Sequence, residues 1–308
     1  MLLSGTRMIR TMRVLVVINP RSGRYLKKPA AQHLEALLKD AANTRSFEYH
    51  ILLMPGNDAQ NVIAEKIRTY KPDVVAGAGG DGTINLLSKL LAHTETALLI
   101  IPLGSANGMA KELAINTKAE PAIELLHKGI VKKIDLLNIN GRICIHLADV
   151  GLNARVVKRF EQDTRRGLLT YAKHLWRELF LIRQYKFYIK ADDKEMSRKA
   201  VSLTFANASR YGTGAVINPS GIIDDGKFEL VVVRPFPPMT LLSITWKMFT
   251  GKLQTSEYVE VISCNSAFIR SSKKTILQID GEVIGRTREI TIRILKKALN
   301  VIVPNDAL

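Results

Sequence analysis

Val74-Val75-Ala76-Gly77-Ala78-Gly79-Gly80-Asp81-Gly82-Thr83-Ile84-Asn85 sets an apolar, β-branched run against a glycine turn and the start of a second apolar run. The segment Asp73 to Gly77, opened by Lys71-Pro72, predicts a buried strand, and Ile84 to Leu91 predicts a helix. A glycine loop at a strand-to-helix junction is where backbone N–H groups and the positive end of a helix dipole can hold phosphate. Glycine suits such a loop because a side chain would block the approach, and because the turn is expected to use positive φ.

Two familiar phosphate motifs are disfavoured by what surrounds the loop. Gly77, Gly79 and Gly82 satisfy the G-x-G-x-x-G spacing, but that reading needs a ribose-binding acid about 20 residues on. The stretch there is Ile100-Ile101-Pro102, which carries none. The chain also lacks the G-x-x-x-x-G-K-[ST] pattern of P-loop enzymes. A glycine turn without a ligand would waste backbone entropy on four glycines and leave Asp81 and Thr83 unexplained in an apolar run.

Working outward, strand and helix alternate through the first 135 residues. Strands are expected at Val14 to Asn19, Tyr49 to Met54, Asp73 to Gly77 and Ala97 to Ile101. Helices are expected around Leu34, Leu37 and Leu38, around Val62, Ile63 and Ile67, over Ile84 to Leu91, and after Gly104. Such alternation predicts a parallel sheet covered by helices. Two further turns fall at strand ends, Asn19-Pro20-Arg21-Ser22-Gly23-Arg24 and Pro102-Leu103-Gly104-Ser105-Ala106-Asn107. With the glycine loop they place three turns along the carboxyl edge of one sheet, the edge where open α/β sheets bind ligands.

Beyond Lys133 the pattern changes. Short strands are expected at Ile134 to Ile139 and Ile143 to Val150, and a basic helix from about Ala154 to Phe187. Then strands dominate: Val201 to Ala206, Phe228 to Val233, Ala267 to Arg270, Thr275 to Ile279, Ile290 to Ile294 and Leu299 to Val303, with one helix near Met239 to Phe249. The expected division is an α/β nucleotide-binding domain over 12–135 and a mainly antiparallel β domain over 136–308, whose last segment has the option of returning to the first domain.

The 308 residues carry a formal charge of +17, with 46% hydrophobic and 24% charged residues, so a packed core and an anionic partner are both expected. From Gly151 to Lys190 there are ten Lys or Arg against three acids. There Leu168, Ala172, Leu175 and Leu179 keep helical spacing, with Trp176 and Phe180 beside them. An amphipathic basic helix of this kind suits an anionic membrane surface, with Arg165, Arg166, Lys173 and Arg177 toward phospholipid. Nucleic acid is disfavoured, since no helix-turn-helix, zinc or RNA-binding motif accompanies the charge. Cys144 and Cys264 match no metal spacing and read as reduced thiols of a cytosolic protein. No stretch approaches the roughly 20 apolar residues of a membrane span, and the opening residues have no run of signal-peptide length. The expected location is cytoplasmic, peripheral to the inner face of the membrane.

Taken in order, these residues resemble the diacylglycerol kinase catalytic family, the lipid kinases that include bacterial diacylglycerol kinases and sphingosine kinases. Asn19-Pro20 with Ser22-Gly23 is similar to that family's first nucleotide motif, residues Gly79 to Asn85 to its signature loop, and residues Pro102 to Asn107 to its third motif. Asp149 to Leu152, Gly167 to Tyr171, Asn207 with Tyr211-Gly212 and Gly214, Ile223 to Gly226, and Asp280-Gly281-Glu282 extend the likeness along nearly the whole chain. Gly-Gly-Asp-Gly-Thr also occurs in NAD kinases and phosphofructokinases, whose fold the first domain is expected to share; the Asp224-Asp225-Gly226 turn and Asp280-Gly281-Glu282 favour the lipid-kinase branch.

The resemblance implies ATP as co-substrate, magnesium, and a membrane lipid such as diacylglycerol as acceptor. It implies that Asp81 organises the metal–triphosphate, with Asn19, Pro20, Arg21, Ser22, Gly23, Gly79, Gly80, Gly82, Thr83, Ile84, Asn85 and Ser105 around the nucleotide. It implies that Glu282 is the general base, and that Asp225 binds magnesium with the carbonyls of Ile222 and Lys227. Read from residues alone, Asp225 is equally a hairpin residue before glycine, and Glu282 an exposed turn acid. The chain departs from the family at Gly108, Leu86 and Met54, where an acid, a glutamate and a threonine are usual. The first departure bears on a charge network in which Arg24 would pair with Asp225. The competing readings are a non-catalytic lipid- or nucleotide-binding regulator derived from such kinases, and an NAD-kinase-like enzyme; a homodimer is also open.

Overall fold

The structure is a computed structural model that describes residues 11–22, 28–45, 47–152, 183–210 and 216–305. Four strands, β1 (Met12–Ile18), β2 (Phe47–Leu53), β3 (Val74–Gly79) and β4 (Ala97–Pro102), lie parallel in the order β2-β1-β3-β4. β3 and β4 are buried at every position, as a strand covered on both faces must be, which is why the sequence shows a run and not an alternation there. The covering helices are α1 (Lys28–Arg45), α2 (Ala59–Tyr70), α3 (Asp81–Leu91), the short α4 (Gly108–Glu112) and α5 (Ala119–Lys128). Ile84, Leu87 and Leu91 form the apolar stripe that presses α3 onto the sheet. α5 has the same design, with Ala122, Ile123 and Leu125 buried, but was not foreseen.

The second half is antiparallel. Its strands are β5 (Ile130–Ile139), β6 (Arg142–Cys144), β7 (Leu147–Gly151), β8 (Tyr185–Ala191), β9 (Lys194–Ala200), β10 (Ser202–Ala206), β11 (Phe228–Val233), β12 (Val259–Cys264), β13 (Ser266–Ile279) and β14 (Glu282–Val303). α6 (Leu241–Phe249) lies between β11 and β12. All the strands join one mixed sheet whose main path runs β12-β11-β10-β7-β13-β14-β4-β3-β1-β2. Phe187, Phe205 and Phe228 are the bulkiest fully buried side chains of the second core. This is the α/β-then-antiparallel-β architecture expected from the sequence.

Three expectations need correction. The basic helix does not reach Phe187: Tyr185, Phe187, Ile189 and Ala191 point inward in alternation with Lys186 and Lys190, a strand period. Residues 153–182 of the segment expected as that helix, with Arg165, Arg166, Lys173 and Arg177, lie outside the described residues, and the Gly167 to Tyr171 segment with them. The strands expected at 267–270 and 275–279 are one strand, broken in register between Arg270 and Thr275, and those at 290–294 and 299–303 are one strand irregular between Leu295 and Leu299. Conversely, the single strand expected from Ile143 to Val150 is two, β6 and β7. The long β14 pairs β13 and β5 along its length and meets β4 in parallel where Val301 faces Leu98, so it crosses from one core to the other.

The β9 edge is tied to β12 by charge. Arg198 grips the Glu260 carboxylate with two bonds of 2.7 Å, and Arg234 adds a third of 2.7 Å. These hydrogen bonds hold the Glu260 pKa at about 2 against an ordinary 4.5. A carboxyl depressed in the folded state stabilises fully above its unfolded pKa, and that stability is lost as pH falls from about 4.5 toward 2. Allowing for solvent around the arginines, about 1–2 kcal/mol should disappear over that window. Denaturant titrations at pH 7 and pH 3 should show this loss in the native chain and a smaller one in Glu260→Gln; equal losses would mean the triad is not stabilising.

Candidate active site

The glycine loop owes its shape to close backbone approach. None of Gly77, Gly79, Gly80 or Gly82 has positive φ, contrary to expectation. The requirement is spatial. A Cβ on Gly79 would run into the Thr83 hydroxyl, and one on Gly104 would stand 2.5 Å from the Cα of Gly80. The loop and the third turn therefore touch main chain to main chain, a contact that a side chain at Gly104 would bar and one at Gly80 would crowd at 3.2 Å. Leu103 N–H donates to Gly79 at 2.9 Å, and Asn107, itself at φ 52, exchanges two 2.9 Å bonds with Gly104 to close that turn. A Cβ on Gly82 would meet nothing within 4 Å, because this glycine faces open space.

That open space is a depression of about 270 Å³ lined by Asn19, Ser22, Met54, Gly80 to Thr83, and Gly104 to Ala106. All three turns contribute to it. The Asn19 amide donates to Thr83 Oγ1 at 2.9 Å, while its oxygen accepts from the Arg21 N–H, so the first turn is locked onto the loop. Pro20 sits within this turn; Gly23 and Arg24 lie outside the described residues, and with them the Arg24–Asp225 pairing. Met54, one of the family departures, is in the lining, whereas Leu86 and Gly108 are not. Asp81 opens α3 and accepts from the Met109 N–H at 3.2 Å, tying the loop to α4. Its carboxylate sits where a helix N-terminus favours negative charge. The Ile84 side chain is core, and its N–H donates to the Gly80 carbonyl at 3.2 Å, so Ile84 braces the loop from within.

One face of α3 leads from this depression to the second core. Asp81, Asn85 and Lys89 recur every four residues and so share that face. With its amide turned to satisfy both neighbours, Asn85 donates to Asp280 at 2.9 Å and accepts from Lys89 Nζ at 3.2 Å. Lys89 also lies 3.6 Å from the Glu282 carboxylate. Glu282 itself is exposed, just past the β13–β14 turn, where Asp280 and Gly281 both have positive φ. Lys89 is thus two turns, about 12 Å, along α3 from Asp81. The sequence reading missed it, although its spacing from Asp81 and Asn85 was the available signal.

Asp280 is the half-buried hub. Its carboxylate accepts from the backbone N–H groups of Ile145, His146 and Leu147 at 3.0, 2.9 and 3.2 Å, and from the Cys144 thiol at 3.2 Å. This is why the expected strand Ile143 to Val150 breaks in two: at the break three amides turn to the carboxylate. Burial raises the Asp280 pKa against the pull of these bonds, and burial with the neighbouring carboxylate drives the Cys144 thiol well above its usual range. The thiol therefore stays protonated and able to donate.

Asp225 stands on a separate, exposed turn. Its Oδ1 accepts from the Lys227 N–H at 2.9 Å, and below it the buried Asp135 fixes the N–H groups of Gly226 and Lys297 at 2.6 Å each. Among the described residues no three His, Cys, Asp or Glu side chains group to hold a metal. The set of one carboxylate with the Ile222 and Lys227 carbonyls is all oxygen, the donor type that suits a hard divalent cation.

Residues 13–139 match the diacylglycerol kinase catalytic domain family, and residues 147–303 match the YegS C-terminal NAD kinase beta sandwich-like domain. An uncharacterized Synechocystis protein is 26% identical over 239 residues, 75% of this chain and 54% of the relative, so the match spans about half the length of that protein. A Citrobacter koseri protein named "Probable lipid kinase YegS-like" is 28% identical over 258 residues, 81% of this chain and 84% of its own. In fold, the chain superposes on a crystal structure of a diacylglycerol kinase from Bacillus anthracis str. Sterne with TM-score 0.74, at 21% identity over 96% of this chain and 98% of the other.

Removing the hub should be costly. Asp280→Ala orphans three buried amides, so the free energy of unfolding should fall by about 3 kcal/mol or more, and Asp280→Asn by less. Equilibrium denaturation measures both; a loss below about 1 kcal/mol for the alanine variant would mean the hub does not hold the turn.

Proposed function

The chain belongs to the lipid-kinase family that joins a diacylglycerol kinase catalytic domain to a YegS-type β-sandwich domain, and from that premise we propose that it transfers a phosphoryl group from ATP to a hydroxyl of a membrane lipid such as diacylglycerol. The observation that carries this reading is the depression at the N-terminus of α3, where three turns present amides and small polar groups. Residues 12–135 would hold the nucleotide and residues 136–308 the lipid.

In this reading, Asn19, Pro20, Arg21, Ser22 and Gly23 flank the triphosphate from one side and Ser105 from the other. The amides of Gly79, Gly80, Gly82 and Thr83, followed by Ile84 and Asn85, lie beneath it. Asp81 would organise the magnesium–triphosphate. Asp225, with the carbonyls of Ile222 and Lys227, would hold magnesium, which when bound neutralises charge on the phosphates. Glu282, positioned by Lys89, takes the proton from the lipid hydroxyl, and the oxygen so freed attacks the terminal phosphorus while the bond to the bridging oxygen breaks. Little else is needed, since phosphoryl transfer is mainly positioning and charge neutralisation. Among the described residues no helix is long and apolar enough to cross a membrane, and the acceptor is proposed to be met from the cytoplasmic face.

Radiolabelled ATP offered with a panel of lipids and with NAD tests the assignment. Label should enter a lipid, and Asp81→Asn should abolish the transfer without loss of fold. Glu282→Gln should lower single-turnover rate on the order of 10²-fold or more while nucleotide affinity stays nearly unchanged. Label in NAD alone would support the NAD-kinase-like alternative, and nucleotide binding without transfer to any acceptor would support a regulator. A full rate in Glu282→Gln would remove it as base.

A further inference from the structure

α6 is apolar on both sides. Inward, Ile244 packs with Phe236, Leu253, Ile217 and Val231. Outward, Trp246 is 72% exposed and Phe249 52%, and Met239, on the turn before the helix, is 87% exposed. Trp246 and Phe249 are one turn apart, and Met239 precedes Trp246 by two turns. The other large exposed apolar side chains, among them Leu53, Val62, Val131 and Ile222, are scattered over separate elements. From Arg234 to Ser256 the chain carries Arg234, Lys247 and Lys252 and not one acid.

We propose that this outer face of α6, with Met239, Trp246 and Phe249 flanked by Lys247 and Lys252, is a docking surface for an anionic phospholipid bilayer. The proposal rests on the lipid-kinase reading for its purpose but not for its physics. Tryptophan and phenylalanine beside lysine is the composition that settles at the headgroup boundary, where the rings meet acyl chains and the ammonium groups meet lipid phosphate. A second copy of the chain fits less well. Three side chains offer on the order of a few hundred Å², short of the roughly 800 Å² per partner of a stable interface. A bilayer needs no such area, because it adapts to each side chain.

The mounting of α6 gives the contact a use. The Met248 carbonyl accepts from Val216 N–H at 2.9 Å, and the N–H groups of Ile217 and Asn218 bond the Ser209 carbonyl at 3.0 Å. Ser209 is held through its N–H and hydroxyl by Glu112 at 2.9 and 2.8 Å, in the helix that follows the third turn. A bilayer-seated α6 thus stands one segment away from α4 and the depression.

The test uses the full chain carrying Trp176→Phe, so that Trp246 is the remaining tryptophan, without ATP and without a kinase readout. On vesicles of phosphatidylglycerol and phosphatidylcholine its emission should shift to the blue and be quenched by lipids brominated on the acyl chain, with weaker effects on phosphatidylcholine alone. Changing Phe249 and Met239 to serine should lower vesicle partitioning at least 10-fold while the thermal midpoint without lipid moves little. An unshifted, unquenched Trp246 would overturn the proposal, as would unchanged partitioning of the serine variant. Light scattering that reveals a dimer lost in the serine variant would also overturn it in favour of a second copy. Because no transfer is measured, an inactive kinase would leave this result standing, and absent docking would leave the kinase reading standing.

Discussion

The half-buried carboxylate of Asp280 holds the two halves of the molecule in one register. It takes three amides from the β6–β7 break, the Cys144 thiol and the Asn85 amide of α3, so a single side chain fixes a strand break, a hairpin and a helix. A charge with little solvent around it is tolerated when its oxygens are paired, and here they are paired with groups of the neighbouring elements. The position of Glu282, two residues along, follows from this anchorage. So does the continuity of β14, which starts at the hub and ends against β4.

The second constraint is the main-chain contact of Gly80 with Gly104. It brings the third turn over the signature loop and leaves the α3 N-terminus open at Gly82. The polar groups around that opening are mostly committed to one another: Asn19 to Thr83, Asn107 to Gly104, Asp81 to Met109. A rim braced in this way is preorganised, so little ordering is left to accompany the arrival of a phosphate chain. The turn that carries Asp225 is braced independently, from below, by Asp135.

Much of this could be read from the chain. The run from Val74 to Asn85 announced strand, loop and helix because a doubly covered strand is apolar throughout and the glycines have no side-chain reason to be there. The Asp280-Gly281 turn was equally legible, since both residues take positive φ. What escaped has physical causes. β8 was hidden because Lys186 and Lys190 alternate with Tyr185 and Phe187 in a segment whose preceding charges suggested a helix. The function of Asp280 was hidden because a half-buried acid and an exposed turn acid have the same letters around them; its partners come from residues 144 to 147, more than 130 positions away. The glycines were given to the loop for the approach of a phosphate and for positive φ; the structure shows no positive φ there, and the close approach it shows is of the loop's own neighbours, Thr83 to Gly79 and Gly104 to Gly80.

The central claim is that the opening at Gly82 receives a nucleoside triphosphate. A crystal structure with magnesium and a non-hydrolysable ATP analogue tests it most directly. The account predicts phosphate oxygens within hydrogen-bonding distance of the Gly82 amide, between the Asn19 and Ser105 turns, with the terminal phosphate directed toward Glu282. An analogue bound elsewhere on the chain, with the depression left to water, would contradict it.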